Sequence, residues 1–122
     1  MKLFRFILYV ASAMLLMQSP AFSQANLPKG DATTAALVDL CKNLDDMDGQ
    51  NFCFGFGEGV YQSYLANRNA KMKSNICFSG NAGTREDVLR EFLTWTQVHP
   101  QFNREHAAKT LVRFFDAKYP CK

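Results

Sequence analysis

The residues with the clearest chemical potential are four cysteines, Cys41, Cys53, Cys77 and Cys121, which are separated by intervals of 12, 24 and 44 positions. Structural zinc sites need pairs of ligands about two to four residues apart, and these intervals are too wide. In an oxidising compartment such cysteines form disulfides that persist. The cysteines therefore predict two disulfides, which leave no thiol for nucleophilic catalysis.

The other ionisable residues offer no reactive arrangement. The two histidines, His99 and His106, have no spacing to each other or to nearby carboxylates that suits a metal ion. The acidic turn, defined here as residues 45–50, lacks the ligand series and terminal glutamate of a calcium-binding loop. Its carboxylates, which we interpret as a solvated surface, belong to Asp45, Asp46 and Asp48. We therefore expect no catalytic residue, no bound metal and no cofactor.

Three glycines lie close together at Gly55, Gly57 and Gly59. Their spacing fits neither the dinucleotide fingerprint nor the phosphate loop of nucleotide hydrolases, and no Lys-Ser or Lys-Thr pair follows them. Each glycine inside a helix costs about 0.8 to 1 kcal/mol relative to alanine, so a packing or functional reason is expected. We predict that Gly55 and Gly59, four residues apart, form a flat surface where another helix packs closely.

The first residues follow the pattern of an export signal. Lys2 and Arg5 precede an apolar run over residues 6–17, which is shorter than the roughly 20 residues that span a bilayer. Small residues at Ala21 and Ser23 predict cleavage after Ser23, with cleavage after Ala25 as the alternative. We therefore expect a signal peptide over residues 1–23, and a periplasmic protein with no membrane anchor after cleavage.

The remaining chain is interpreted as a polar leader over residues 24–33 and a single domain over residues 34–122. Cleavage removes two basic residues and no acid, so the formal net charge falls from +3 to +1. A nearly neutral domain lacks the clustered basic surface that nucleic-acid binding requires. We expect no nucleic acid as a partner.

The periodicity of the apolar residues predicts helices throughout the domain. The expected segments are residues 34–44, 51–66, 84–99 and 103–119, with a long polar loop over residues 67–83. Thr84 and Asp87 have the spacing of a capping box at the start of the third helix. The fold class predicted is all-α, a small bundle of about four helices held by two disulfides.

Several short motifs occur in an order that resembles the Rap/Tai family, the small exported immunity proteins of bacterial type VI secretion systems. The motifs are Phe52-Cys53 followed by Gly55 and Gly59, the isolated Cys77, Trp95 with His99-Pro100, and the terminal Tyr119-Pro120-Cys121. The resemblance covers most of the chain after residue 40. Phe78-Ser79-Gly80, where the family often shows a proline, and Phe56, commonly Tyr, depart from the family pattern.

The resemblance implies a non-enzymatic inhibitor that binds a peptidoglycan amidase toxin and blocks its active-site cleft, and related proteins often form homodimers. Because the family motif covers framework residues only, contact residues have to be chosen from the exposed loops. We predict the acidic turn and the long loop as contact surfaces. The residues chosen are Asp45, Asp46, Asp48, Asn69, Lys71, Lys73, Asn75 and Asn81.

Three disulfide connectivities are open for four cysteines. If the fourth helix runs antiparallel to the second, Cys121 ends near Cys53, which leaves Cys41 to pair with Cys77. We favour that pairing at this stage. A fainter resemblance to the Hde-type periplasmic acid chaperones supplies an alternative function, in which the protein loosens at low pH and holds unfolding clients.

Overall fold

Four α-helices form the part of the chain that the computed structural model describes, which comprises residues 31–69, 71–78, 80 and 82–122. They are α1 (Thr34–Cys41), α2 (Met47–Asn67), α3 (Arg85–Gln97) and α4 (Ala107–Lys118), with a 3₁₀ turn at Pro100–Phe102. Within these residues there is no strand, only two isolated bridges that join Thr33 to His106 and Ile76 to Pro120. The predicted all-α bundle of four helices is confirmed.

The starts of α1 and α3 follow from local capping. The hydroxyl of Thr33 accepts a hydrogen bond from the Ala36 amide at 3.3 Å, which begins α1. The hydroxyl of Thr84 accepts from the Asp87 amide at 3.2 Å, and the Asp87 carboxylate accepts from the Thr84 amide at 2.9 Å. This reciprocal pair is the capping box that the sequence predicts.

Helix α2 begins at Met47, four residues before the predicted start at about residue 51. Asp46 is its N-cap, since the side-chain carboxylate accepts a hydrogen bond from the Gly49 amide at 3.1 Å. Asp48 then lies in the first turn, where the positive end of the helix dipole favours an acidic residue. The prediction of a free acidic turn before α2 is therefore wrong for residues 47–50, which are helical.

A buried glutamine fixes the connection between α1 and α2. The side-chain amide of Gln50 donates to the carbonyl of Cys41 at 2.8 Å and to that of Asn43 at 2.9 Å. These bonds satisfy carbonyls at the end of α1, which stops at Cys41 and not at residue 44 as predicted. The two helices are thereby held as a tight pair.

Helix α4 begins at Ala107 because the preceding residues pair with the start of the domain. The amides of Thr34 and Ala35 donate to the carbonyls of Glu105 and Asn103, at 2.8 and 3.0 Å. In return the Ala107 amide donates to the carbonyl of Ala32 at 2.8 Å. Residues 103–106 therefore form a turn bonded to a distant segment, although their sequence predicts helix.

The core lies where all four helices meet. Its most buried hydrophobic residues are Leu37, Cys41, Cys53, Ile76, Phe92, Ala107, Leu111, Phe114 and Phe115. Thr34 and Thr110, both fully buried, satisfy one another because the Thr34 hydroxyl donates to the Thr110 hydroxyl at 2.7 Å. This contact ties the first turn of α1 to α4.

The disulfide pairing differs from the one that the sequence favours. Cys41 is bonded to Cys53, and Cys77 is bonded to Cys121. We call these the hairpin disulfide and the tail disulfide. The favoured pairing of Cys41 with Cys77 and Cys53 with Cys121 is wrong, because the chain after α4 pairs with residues 75–77 and not with the start of α2.

The predicted signal peptide, residues 1–23, and most of the predicted leader, residues 24–33, lie outside the described residues. None of the helices in the described ranges combines the length and the apolar character that crossing a bilayer requires. Helix α1 begins at Thr34, the residue at which the sequence predicts that the domain begins.

Candidate binding surfaces

The first candidate surface is the acidic turn, whose first two residues precede α2 and whose residues 47–50 form the first turn of that helix. Asp45 and Asp48 are exposed, whereas the carboxylate of Asp46 is used to cap α2. The neighbouring side chains of Leu44 and Met47 are 74% and 71% exposed. The turn therefore presents two large apolar side chains flanked by carboxylates, a composition that suits a contact with another protein.

The second candidate surface is the basic loop, defined here by Arg68, Asn69, Lys71, Met72 and Lys73, all of which are exposed. The Met72 amide donates to the Asn69 carbonyl at 2.9 Å, and the Arg68 guanidinium donates to the Met72 carbonyl at 2.6 Å. The side-chain oxygen of Asn69 accepts from the Lys71 amide at 3.0 Å. The loop is thus closed by its own hydrogen bonds, and the side chain of Met72 points outward, 63% exposed.

Residues 75–78 anchor the basic loop to the rest of the domain. The Cys77 amide donates to the carbonyl of Tyr119 at 2.8 Å, and the Cys121 amide donates to the carbonyl of Asn75 at 2.9 Å. Ile76 between them is 1% exposed. The tail disulfide, the two backbone hydrogen bonds and the buried side chain of Ile76 fix the segment that follows the basic loop. The loop therefore has little conformational entropy left to lose on binding.

Aromatic packing continues this anchor into the core. The ring of Phe78 meets Tyr61 edge-on with centroids 4.8 Å apart, and it meets Phe115 at 5.2 Å. The hydroxyl of Tyr119 donates to the carboxylate of Glu91 at 2.8 Å. Burial raises the pKa of Tyr119 well above its ordinary value, with a further contribution from Glu91, so the phenol stays a hydrogen-bond donor at neutral pH.

The two candidate surfaces differ in charge and in position. A shallow depression around the tail disulfide is lined by Arg68, Lys71, Lys73 and Lys122. Helix α2 has 21 residues, and the basic loop follows its last residue while the acidic turn includes its first turn. At 1.5 Å per residue its length is about 30 Å, so the two surfaces do not enter one cleft together.

The predicted contact residues are thus divided by the structure. Asp45 and Asp48 lie at one end of α2, and Asn69, Lys71 and Lys73 lie at the other. Asn75 is exposed beside the basic loop, where its amide donates to the hydroxyl of Tyr64 at 3.2 Å. Asn81 lies outside the described residues. Sequence reasoning missed Met72 and Arg68, although a methionine between two lysines is a signal that could have indicated an exposed apolar contact.

Gly55 and Gly59 lie on an open groove between α2 and α4. A Cβ atom added to either glycine would meet no heavy atom within 4 Å. Ala108 and Val112 of α4 line the same groove. Within the described part of the chain no helix packs closely against these glycines, so the prediction of such packing is wrong inside the domain, and the surface is free.

The histidines lie apart from both candidate surfaces. The ring of His99 stacks on Trp95 with centroids 4.0 Å apart, and its Nδ1 donates to the Trp95 carbonyl at 2.7 Å. His106 is exposed directly before α4. In the ranges that the structure covers, no three histidine, cysteine or acidic side chains are grouped so as to hold a metal ion, and all four cysteines are disulfide-bonded.

Comparison with known proteins shows which family this sequence matches. A model of the Rap1a immunity proteins matches residues 33–121, which includes every helix and both disulfides described above. Searches of curated proteins and of solved structures found no match. Since the family model matches well over half of the sequence, the chain belongs to the Rap1a immunity protein family.

Proposed function

We propose that this protein is exported to the periplasm, where it protects the producing cell by binding a type VI secretion amidase and covering the cleft that cleaves peptidoglycan. The family match over residues 33–121 carries the proposal. The export pattern in residues 1–23 and the two disulfides support an oxidising, extracytoplasmic site of action.

The basic loop is the part of the surface that we assign to the cleft. It is closed by internal hydrogen bonds and held at residues 75–78 by the tail disulfide and the chain after α4. An inhibitor gains affinity when its inserting segment is already ordered, because less entropy is lost on binding. Met72 supplies an exposed apolar side chain at the centre of the loop, between two cations.

The proposal also includes an accessory role for the acidic turn. It lies about 30 Å from the basic loop along α2, so it contacts either a different region of the amidase or a second copy of this chain. In a homodimer, the basic loop of one copy and the acidic turn of the other can lie on the same amidase.

The test is a protection assay with candidate type VI secretion amidases, beginning with any exported amidase that sequencing finds in the genes beside this one. Cells that send this amidase to the periplasm lyse unless the full chain, with its own leader, is co-expressed. The purified amidase and the oxidised protein, mixed in equal amounts, show no release of peptide from isolated peptidoglycan. Lysis and hydrolysis at the same rate with and without the protein would contradict the proposal.

Two charge-reversal variants separate the surfaces. The triple change Lys71→Glu, Met72→Asp and Lys73→Glu is expected to weaken amidase binding roughly tenfold or more, since central contacts dominate the affinity of an interface. The change Asp45→Lys with Asp48→Lys, at the other end of α2, tests the accessory contact and should weaken amidase binding by no more than about threefold, because a charge at the rim of an interface contributes little to affinity. Protection that survives the loop variant would contradict the assignment of the basic loop.

A further inference from the structure

A cavity of about 310 Å³ opens between α2, the start of α3 and the core. The partly exposed side chains of Val88 and Leu89 form part of its wall, and the buried residues Cys53, Phe92 and Phe114 lie directly behind that wall. An apolar cavity of about 150 Å³ accepts benzene, which has six heavy atoms. By the same scale, this cavity has room for roughly twelve heavy atoms.

Aromatic rings dominate the wall of the cavity. Tyr61 meets Phe78 at 4.8 Å with an angle of 88° between the rings, and Phe78 meets Phe115 at 5.2 Å and 77°. Behind this wall, the buried rings of Phe92 and Phe114 pack at 5.4 Å and 65° and hold it in place. Rings arranged edge to face present both positive edges and negative faces, and a guest ring can extend either pattern. The wall therefore favours an aromatic guest over an aliphatic one of equal size.

The mouth of the cavity carries charges of both signs, each already engaged. The guanidinium of Arg85 lies 4.5 Å above the ring of Phe54, and its Nε donates to Glu86 at 2.9 Å. On the α2 side, the carboxylate of Glu58 accepts a hydrogen bond from Gln62 at 2.8 Å. Since neither sign prevails, the mouth provides no selection for a charged ligand.

Gly57 makes the entrance wide. It lines the cavity, and a Cβ atom at this position would meet no heavy atom within 4 Å. A larger side chain at residue 57 therefore has space to extend into the cavity without displacing the wall. A single substitution at residue 57 of α2 can therefore fill the space that a guest would occupy.

We propose that this cavity binds one uncharged aromatic ring system of about a dozen heavy atoms. The ring is carried either by a free small molecule or by a side chain of a bound polypeptide. The site is separate from the basic loop and from the acidic turn, and the proposal does not depend on recognition of an amidase.

The first experiment titrates the oxidised protein with 2-naphthol and follows the amide signals by nuclear magnetic resonance. The expected result is saturable one-to-one binding with a dissociation constant below about 1 mM. Shifted amides should include those of residues 57, 78 and 88. The saturated analogue decahydro-2-naphthol should bind about two- to tenfold more weakly, because it lacks edge-to-face contacts. The anion 2-naphthoate should show no advantage over 2-naphthol.

A capped amino acid distinguishes the two sources of the ring. If N-acetyl-tryptophanamide binds as tightly as 2-naphthol or more tightly, the mouth accepts a peptide backbone, and a polypeptide side chain is the guest. If 2-naphthol binds while N-acetyl-tryptophanamide is excluded, the guest is a free compound. Failure of both probes to bind would overturn the proposal.

Two variants on the same helix locate the binding. Gly57→Leu should fill the cavity and weaken 2-naphthol binding at least tenfold, whereas Gly59→Leu, on the open groove, should leave it within about twofold. Both changes replace a helical glycine by a better helix former, so their effects on folding are matched. Gly57→Ala serves as a milder member of the series and should weaken binding to an intermediate degree. Equal binding by Gly57→Leu and Gly59→Leu would overturn the assignment to this cavity.

Discussion

Replacing the glycines of α2 by alanine should stabilise the protein considerably. Gly55, Gly57 and Gly59 lie inside a helix of 21 residues, and a Cβ atom at any of them would meet no heavy atom within 4 Å. Each replacement is expected to raise the free energy of unfolding by about 0.8 to 1 kcal/mol, because alanine loses less backbone entropy on entering the helix. The triple variant should therefore gain about 2.4 to 3 kcal/mol.

A gain of this size is easily measured. For a domain of this length each kilocalorie shifts the unfolding temperature by roughly 4 to 8 °C, so the triple variant should unfold roughly 10 to 24 °C above wild type. The assay is thermal and urea unfolding of the oxidised protein, followed by circular dichroism at 222 nm. Several protein concentrations are compared, because any self-association on the glycine surface would make the wild-type transition concentration-dependent.

Gly49 in the same helix provides the matched control. A Cβ atom there would lie 2.6 Å from the Oδ2 atom and 2.9 Å from the Cγ atom of Asp46, whose carboxylate caps the helix. Gly49→Ala is therefore expected to destabilise the protein, by an amount similar to the loss of an N-cap, about 0.5 to 2 kcal/mol.

The reasoning would be refuted if the triple variant unfolded at or below the wild-type temperature while Gly49→Ala behaved as expected. That result would mean that the glycine surface is covered in solution by atoms that leave no room for a methyl group. A wild-type transition that rises with concentration would then identify the cover as a second copy of the chain.

The remaining predictions concern the crosslinks, a buried hydroxyl pair and acid. Loop closure alone assigns about 3 kcal/mol to the hairpin disulfide, which closes 12 residues, and about 4 kcal/mol to the tail disulfide, which closes 44. Serine at the buried positions Cys41 and Cys53 adds about 1 to 3 kcal/mol for each unpaired hydroxyl, so the hairpin variant should lose more stability than the tail variant. Urea midpoints measure the two losses, and a larger loss in the tail variant would contradict this order. Thr34→Val should cost about 1 to 3 kcal/mol because the buried Thr110 hydroxyl loses its donor, whereas Thr110→Val should cost less because the Thr34 hydroxyl keeps the Glu105 carbonyl as an acceptor at 3.1 Å. The double variant should cost less than the sum of the two, and a strictly additive cycle would argue against the hydrogen bond. The amide and hydroxyl of Thr84 lower the pKa of Asp87 below its ordinary 3.8, so its contribution to stability is present above that value and is lost as the pH falls through the lower folded pKa. Helix content should therefore hold from neutral pH to about pH 5, and a loss of helix content in that window would contradict this reasoning.

Local patterns in the sequence predicted the parts of the fold that depend on neighbouring residues. The capping box of Thr84 and Asp87 needs only a spacing of three residues, and the structure contains both of its hydrogen bonds. The four helices follow from apolar periodicity in the same way. Asp46 shows the limit of this approach, since an aspartate in an acidic run looks like a solvated turn until its bond to the Gly49 amide is seen.

Features that depend on distant residues could not be predicted from such patterns. Residues 103–106 have a helical pattern, yet the carbonyls of Asn103 and Glu105 accept hydrogen bonds from the start of α1. The disulfide pairing failed for the same reason, because it assumed a direction for α4 that the sequence does not specify.

The candidate surfaces were predicted as exposed segments, and the exposure of Asp45, Asp48, Lys71 and Lys73 agrees with that expectation. Their separation along α2 was not foreseen, because it follows from the length and straightness of one helix. The aromatic cavity was also missed, since its walls come from four separate stretches of the chain.

The pairing of residues 32–35 with residues 103–107 has a consequence for the timing of folding. The amide of Thr34 donates to the carbonyl of Glu105, which the ribosome adds to the chain 71 positions later. At about 5 to 20 residues per second, this interval lasts roughly 4 to 14 s. During that time the growing polypeptide cannot close its first helix against its last, so this pairing forms only after nearly the whole domain has been synthesised.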